Sequence, residues 1–90
     1  MNAVRNDPAA GRYVLDVDGL EAFAAYRREG GTIVFTHTEV PDPLQERGIG
    51  SALVKGALAD VRRAGLRMVP QCSFVAAYVE RHPEERDLLA

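Results

Sequence analysis

The sequence predicts a single α/β domain of the α+β kind, in which an antiparallel β-meander precedes a strand–loop–helix–strand unit. Turn-forming residues divide the first 40 residues into short extended segments. Near Arg47 the apolar residues change from a spacing of two to a spacing of three or four, and a further apolar strand follows. Ninety residues, of which 47% are hydrophobic, are enough for one packed core.

Three turn signals separate the strands of the meander: "NDPAAG" at 6–11, "DG" at 18–19 and "EGG" at 29–31. The segment after the first turn alternates between apolar and more polar positions, as a half-buried strand does. Its apolar face consists of Tyr13, Leu15 and Val17.

The last strand of the meander is "TIVFTHTEV" at 32–40, which is rich in β-branched residues. Strict alternation along this strand predicts one face with four members, namely Ile33, Phe35, His37 and Glu39. Pro41 and Pro43 then end the strand pairing.

An amphipathic helix is predicted from about Arg47, because apolar residues recur at helical spacing. They are Ile49, Leu53, Val54, Ala57, Leu58 and Val61. The segment "LRMVPQC" at 66–72 then forms a short strand, which after a helical crossover lies parallel to the strand at 32–40. Ser73 is the predicted cap of a second helix that runs to about Arg81, and "EERDLL" adds a final turn.

The run "PLQERGIGSALVKGAL" at 43–58 places two glycines where the chain enters the first helix. Backbone N–H groups are unpaired at such a point and favour an anion. A nucleotide P-loop does not fit, because no Gly-Lys-Ser/Thr follows at the required spacing. A dinucleotide fingerprint fits poorly, because Leu53 stands where its third glycine belongs. Glycines that only ease packing are the remaining alternative.

Gln45, Gly48 and Gly50 spell QxxGxG between a strand and a helix. In this the chain resembles the GNAT superfamily of acyl-coenzyme A-dependent N-acyltransferases, whose signature is Q/RxxGxG/A. The stretches "HTEVP", "PQCSF" and "RHP" are similar to the small, single-domain YjdJ-type branch. The resemblance covers about residues 11 to 89, and it implies a compact GNAT-like fold.

The resemblance implies acetyl-coenzyme A as the cofactor, with its pyrophosphate at the amides of the glycine loop. Its pantetheine arm then follows the strand that ends at Val40 and enters a gap beside the strand that ends near Cys72. Pro41 and Pro70 are placed to keep this gap open. The predicted cofactor-binding residues are Thr38, Val40, Gln45, Glu46, Arg47, Gly48, Ile49, Gly50 and Ser51.

Four side chains are the candidates for catalysis. Cys72 stands between the second parallel strand and a helix start, where it is either a small buried residue, a nucleophile that forms an acyl-enzyme, or a thiol near the leaving sulfur. His37 and Glu39 are candidate bases for the acceptor amine, with half-buried or solvated structural roles as the alternatives. Tyr78 is a candidate acid toward the leaving thiolate, or a core tyrosine.

Composition limits the partners. A net charge of −2 and a pI of about 5.6 argue against nucleic-acid binding. No apolar run is long enough for a membrane helix, and the absence of a signal-peptide pattern together with a single cysteine favours a reducing cytoplasm. His37, Cys72 and His82 lack metal-ligand spacing, so no metal site is predicted. We expect a monomer.

These observations predict an acetyl-coenzyme A-dependent N-acetyltransferase with an unidentified amine acceptor. Only a turn at 6–11 stands where larger relatives place substrate-binding helices, which permits a peptide or protein lysine, a small polyamine, or no acceptor at all. The alternatives are a catalytically weak acyl-coenzyme A binding module and, less well supported by QxxGxG, a partner-binding adaptor of the same fold.

Overall fold

Four antiparallel strands form the first half of the chain in a computed structural model that describes residues 3–90. They are β1 (Arg5–Asp7), β2 (Arg12–Val17), β3 (Leu20–Glu29) and β4 (Thr32–Glu39). Consecutive strands pair with one another, so all three predicted turns are confirmed as hairpin connections.

The second half contains α1 (Ile49–Arg63), β5 (Arg67–Pro70) and α2 (Ser73–Arg81). Short 3-10 turns precede α1 at Asp42–Leu44 and follow α2 at Pro83–Leu88. The sheet has the order β1-β2-β3-β4-β5, and β5 runs parallel to β4. The predicted mixed sheet with a helical crossover is therefore confirmed.

The core lies between the sheet and the two helices. The predicted apolar face of β2 is buried, as is every residue of the predicted apolar stripe of α1. On the same side of the sheet, α2 and the last 3-10 turn contribute Val75, Val79 and Leu88. The periodicities of two and of 3.6 therefore identify the inward side chains of both elements correctly.

A β-bulge interrupts the alternation of β4. Ala25 pairs with His37 and the next residue, Tyr26, pairs with Phe35, so Thr36 is an extra residue on β4. The bulge reverses the side-chain direction, because one inserted residue shifts the period-two pattern by one position.

The predicted single face of β4 is therefore wrong. Phe35 points toward the helices, with its ring centroid 6.1 Å from that of Tyr13 in the core. His37 points to the opposite face of the sheet, where it lies edge-on to Phe23 at 6.1 Å. Thr38 takes the inward position next to it, as its contact with Cys72 shows.

The start of α2 also differs from the prediction. Cys72 has an extended backbone, with φ −70° and ψ 128°, and its carbonyl oxygen accepts a hydrogen bond from the N–H of Ala76 at 3.0 Å. Cys72 is thus the N-cap residue and Ser73 the first helical residue, and neither side chain caps the helix through a hydrogen bond. The consequence is that Cys72 lies directly at the N-terminus of α2.

Candidate functional site

A gap opens where β4 and β5 separate. Their pairing ends at Phe35 and Pro70, after which the N–H of Cys72 donates to the carbonyl oxygen of Phe35 at 2.9 Å. Residues 36–39 continue β4 without a β5 partner, because β5 ends at Pro70. Extended backbone without a partner on one edge can pair with another extended group.

The loop before α1 holds two residues in left-handed backbone conformations, Glu46 at φ 64° and Gly48 at φ 73°. A Cβ atom placed on Gly48 would meet no heavy atom within 4 Å. Glycine suits this position because of its backbone angle, since side-chain-bearing residues rarely adopt it. The space beside Gly48 is consequently open.

The N-terminus of α1 is suited to an anion. The first hydrogen bond within the helix runs from the N–H of Ala52 to the carbonyl oxygen of Gly48 at 3.0 Å. The N–H groups of residues 49–51 come before it, so they have no carbonyl partner within the helix. Among residues 3–90, no side chain caps this end with a hydrogen bond, and the first turn of α1 contains no acidic residue. The helix dipole adds to the attraction for negative charge.

Gly50 serves a different purpose from Gly48. A Cβ atom on Gly50 would overlap Cζ of Phe74 and would lie 3.1 and 3.2 Å from its two Cε atoms. The ring of Phe74, which comes from the first turn of α2, therefore packs directly against the backbone of α1. This contact joins the two helices at the mouth of the gap.

A cleft of about 420 Å³ connects the loop with the gap. Eight of the nine predicted cofactor-binding residues line it, whereas Arg47 does not. Leu44 and Phe74 also line the cleft, although no sequence pattern singles out either residue. The complete lining consists of Thr38, Val40, Leu44, Gln45, Glu46, Gly48, Ile49, Gly50, Ser51 and Phe74.

Two polar side chains hold the loop in place. Gln45 Nε2 donates to the carbonyl oxygen of Val40 at 3.1 Å and to Oδ1 of Asp42 at 3.2 Å, so it ties the loop to the end of β4. Arg47 Nη1 lies 2.9 Å from Oδ2 of Asp18 in the turn between β2 and β3. Gln45, the first residue of QxxGxG, thus stabilises the backbone of the loop. Arg47 forms an ion pair with Asp18 outside the cleft.

Cys72 lies behind the wall of the cleft. Its Sγ is 3.3 Å from Oγ1 of Thr38, which itself lines the cleft, and the residue is only 8% exposed. The sulfur is therefore close to the cleft at the point where β4 and β5 separate. A thiol at this position is sheltered from solvent and held by a hydroxyl partner.

His37 and Glu39 lie together, but on the other face of the sheet. Nε2 of His37 is 3.3 Å from Oε2 of Glu39, and the two side chains are 63% and 61% exposed. Neither residue lines the cleft. The bulge explains this placement, because it turns both side chains away from the helices.

Tyr78 is part of the core. It is 3% exposed, and its ring stacks on His82 with the centroids 3.9 Å apart. Burial, and then the carboxylates of Glu85 and Glu84, raise the pKa of the Tyr78 hydroxyl. Tyr78 does not line the cleft, and its contacts support a structural role for the "RHP" segment that contains His82.

Within residues 3–90, no group of three or more histidine, cysteine, aspartate or glutamate side chains is arranged to hold a metal ion. No helix in the same range is long and apolar enough to cross a membrane.

A family model described as GCN5-related N-acetyl-transferase matches residues 12–88. The chain belongs to this family. Membership places it among the acyltransferases and confirms the resemblance carried by QxxGxG. In this protein, the signature QxxGxG runs from the loop that follows β4, through the left-handed residues Glu46 and Gly48, into the first turn of α1.

Several vertebrate proteins are similar to this family member. The NATD1 proteins of Gallus gallus and Homo sapiens are each 32% identical to this chain over 83 residues, which is 89% of this chain. The match covers 76% of the Gallus gallus protein and 74% of the Homo sapiens protein. Protein NATD1 of Xenopus tropicalis is 36% identical over 52 residues, or 58% of this chain. The chain spans about half of the Xenopus protein (48%) and about three quarters of the other two.

A solved structure has the same fold. The NMR structure of a GCN5-like protein from Staphylococcus aureus superimposes with a TM-score of 0.73 at 23% sequence identity. The match covers 97% of this chain and 86% of the other. The mixed sheet with a parallel β4–β5 pair is thus the fold of a GCN5-like protein, as the sequence predicted.

Proposed function

We propose that the protein is an acetyl-coenzyme A-dependent N-acetyltransferase. The observation that carries the proposal is one continuous cleft with an anion site at one end and, at the other, a wall residue, Thr38, whose hydroxyl contacts the thiol of Cys72 behind it. A ligand that spans it needs a charged group, an extended polar arm and a reactive end. Acetyl-coenzyme A has these parts in this order.

The described residues fit this molecule. Pyrophosphate at the N-terminus of α1 would accept hydrogen bonds from the N–H groups of residues 49–51, and the open space beside Gly48 leaves room for it. The amide-bearing arm would run along residues 36–39, where β4 has an edge without a β5 partner. Bound acetyl-coenzyme A would supply an acetyl thioester.

Cys72 is the residue proposed to act at the thioester end. Its sulfur would either attack the acetyl carbonyl or lie beside the leaving sulfur. In the first case a carbon–sulfur bond forms to Cys72, the bond to the sulfur of coenzyme A breaks, and coenzyme A leaves as a thiol that takes up the proton lost by Cys72. Thr38 holds Sγ at 3.3 Å in both cases and so positions it. The buried setting excludes water, which would otherwise hydrolyse an acyl-enzyme.

The amine acceptor is proposed to reach the thioester through the gap beyond the β4–β5 pairing, entering from the face of the sheet that carries His37 and Glu39. Both side chains are exposed there, and their 3.3 Å contact orients the imidazole. An amine must lose a proton before or during acyl transfer, and either group can accept it. A peptide or protein lysine and a small polyamine both suit an exposed surface of this kind.

Intact-mass analysis tests the role of Cys72. Wild type, Cys72→Ala and Cys72→Ser are each incubated with acetyl-coenzyme A, with and without a panel of amines. An acyl-enzyme predicts a gain of one acetyl group by wild type, absent from Cys72→Ala and removed again by a suitable amine. Amine acetylation by Cys72→Ala at the wild-type rate would contradict any catalytic role for Cys72.

A catalytically weak acyl-coenzyme A binding module is the second candidate. The observation that favours it is the absence of all four candidate catalytic side chains, Cys72, His37, Glu39 and Tyr78, from the lining of the cleft. This candidate predicts that coenzyme A raises the melting temperature while no amine in the panel is acetylated. Turnover that depends on His37 or Glu39 would exclude it.

A further inference from the structure

We propose that Phe74 determines affinity for the pantetheine arm of coenzyme A, by forming the wall of the cleft opposite β4. The inference rests on the proposed function, because it assumes that the cleft binds coenzyme A. It assigns a role to a residue that lies outside the QxxGxG signature, in α2, whereas the signature leads into α1.

Phe74 stands between the two ends of the cleft. Its ring touches Gly50 of the anion-binding turn, and its backbone lies two residues beyond Cys72. Thr38 and Val40 of β4 line the same cleft. An arm that connects a pyrophosphate at the loop with a thioester near Cys72 therefore passes along the Phe74 ring.

The contact with Gly50 determines which way the arm passes. The ring closes the space toward α1, because even a methyl group on Gly50 would overlap it. The remaining route lies between the ring and β4, where the backbone edge of residues 36–39 is available for hydrogen bonds. An aromatic face on one side and a strand edge on the other would enclose an extended chain.

The exposure of Phe74 is unusual for its size. Among residues 3–90, Phe74 at 37% and Leu89 at 39% are the exposed large hydrophobic side chains. Leu89 bridges to Met68 of β5, at the edge of the sheet away from β4. An exposed aromatic ring inside a cleft gains apolar contact when a ligand covers it, so binding of the arm would bury the exposed surface of Phe74.

The test compares two ligands. Coenzyme A contains the pantetheine arm, whereas 3′-phosphoadenosine 5′-diphosphate contains only the nucleotide and pyrophosphate. Isothermal titration of both probes is measured with wild type, Phe74→Ala, Phe74→Tyr and, as a matched control, Leu89→Ala. A melting curve for each variant establishes that it is folded.

We expect Phe74→Ala to bind coenzyme A about tenfold more weakly, equivalent to about 1.4 kcal/mol. The same variant should bind the nucleotide fragment within about twofold of wild type, since the amides of α1 are unchanged. Phe74→Tyr should retain most of the affinity for coenzyme A, and Leu89→Ala should match wild type with both probes.

The inference alone would be overturned by equal affinity of wild type and Phe74→Ala for coenzyme A, or by tighter binding by Phe74→Ala, as expected of a ring that blocks the cleft. An equal loss for both probes would also contradict it, because the effect would then lie at the pyrophosphate. Failure of wild type to bind either probe would instead remove the proposed function and this inference with it.

Discussion

Alanine at Gly48 should destabilise the protein more than alanine at Gly50, although only Gly50 is crowded. Gly48 has φ 73° and no heavy atom within 4 Å of an added Cβ. The left-handed conformation costs a residue with a side chain about 1–2 kcal/mol. For a domain of this size, each kcal/mol lowers the melting temperature by roughly 4–8 °C.

Gly50→Ala combines two opposing effects. Alanine is favoured over glycine inside a helix by about 1 kcal/mol. The added methyl group displaces the Phe74 ring, but that ring is 37% exposed and belongs to a flexible side chain, so it can move. The two effects should leave the free energy of unfolding within about 1 kcal/mol of the wild-type value.

Urea denaturation of wild type, Gly48→Ala, Gly48→Asn and Gly50→Ala measures this difference. Asparagine adopts the left-handed region more readily than alanine, so Gly48→Asn should recover part of the stability. A Gly48→Ala protein as stable as wild type would refute the argument from backbone angle. So would a Gly48→Asn protein that is less stable than Gly48→Ala.

Two further predictions concern hydrogen bonds outside the cleft. The Tyr13 hydroxyl donates to Asp60 at 2.8 Å, so Tyr13→Phe should lower the free energy of unfolding by about 1 kcal/mol, measured by urea denaturation. Burial, and then the carboxylate of Asp60, raise the pKa of the Tyr13 hydroxyl. The neutral hydroxyl therefore contributes its full stability below about pH 10, the usual tyrosine pKa, and this stability is lost as the pH rises further. Hydrogen bonds from Arg62 lower the pKa of Asp87; the resulting stability is present above the usual aspartate pKa, near 3.9, and is lost as the pH falls below it. Melting curves from pH 2 to 7 should therefore show a smaller acid-side loss in Asp87→Asn than in wild type, and identical losses would contradict this.

Local patterns were sufficient to predict most of the fold. The turn signals and the two apolar periods identified every long strand and the first helix, because each reflects a preference of neighbouring residues. The second helix was predicted from a start at Ser73 and an end near Arg81. The bulge at Thr36 was not predictable in this way. It depends on the register between β3 and β4, and it puts His37 on the face opposite Phe35, although the prediction placed both on one face.

The site was predictable where a contiguous motif forms it. QxxGxG identified the left-handed loop and the first turn of α1, since glycine positions reflect backbone angles and close approach. Phe74 was missed because its place in the lining of the cleft depends on a tertiary contact with Gly50, 24 positions earlier in the sequence. The engagement of Arg47 by Asp18 is likewise a tertiary contact, which no local pattern indicates.

Coenzyme A binding to Gly48→Asp and Gly48→Asn tests the anion site most directly. The two side chains have nearly the same size and similar tolerance of the left-handed region, so they differ mainly in one negative charge. Two unit charges about 4 Å apart repel each other by about 1–4 kcal/mol, depending on the local dielectric. Titration at low ionic strength should therefore show at least about fivefold weaker binding by Gly48→Asp than by Gly48→Asn. Equal affinities of the two folded variants for coenzyme A would contradict a pyrophosphate site at the N-terminus of α1.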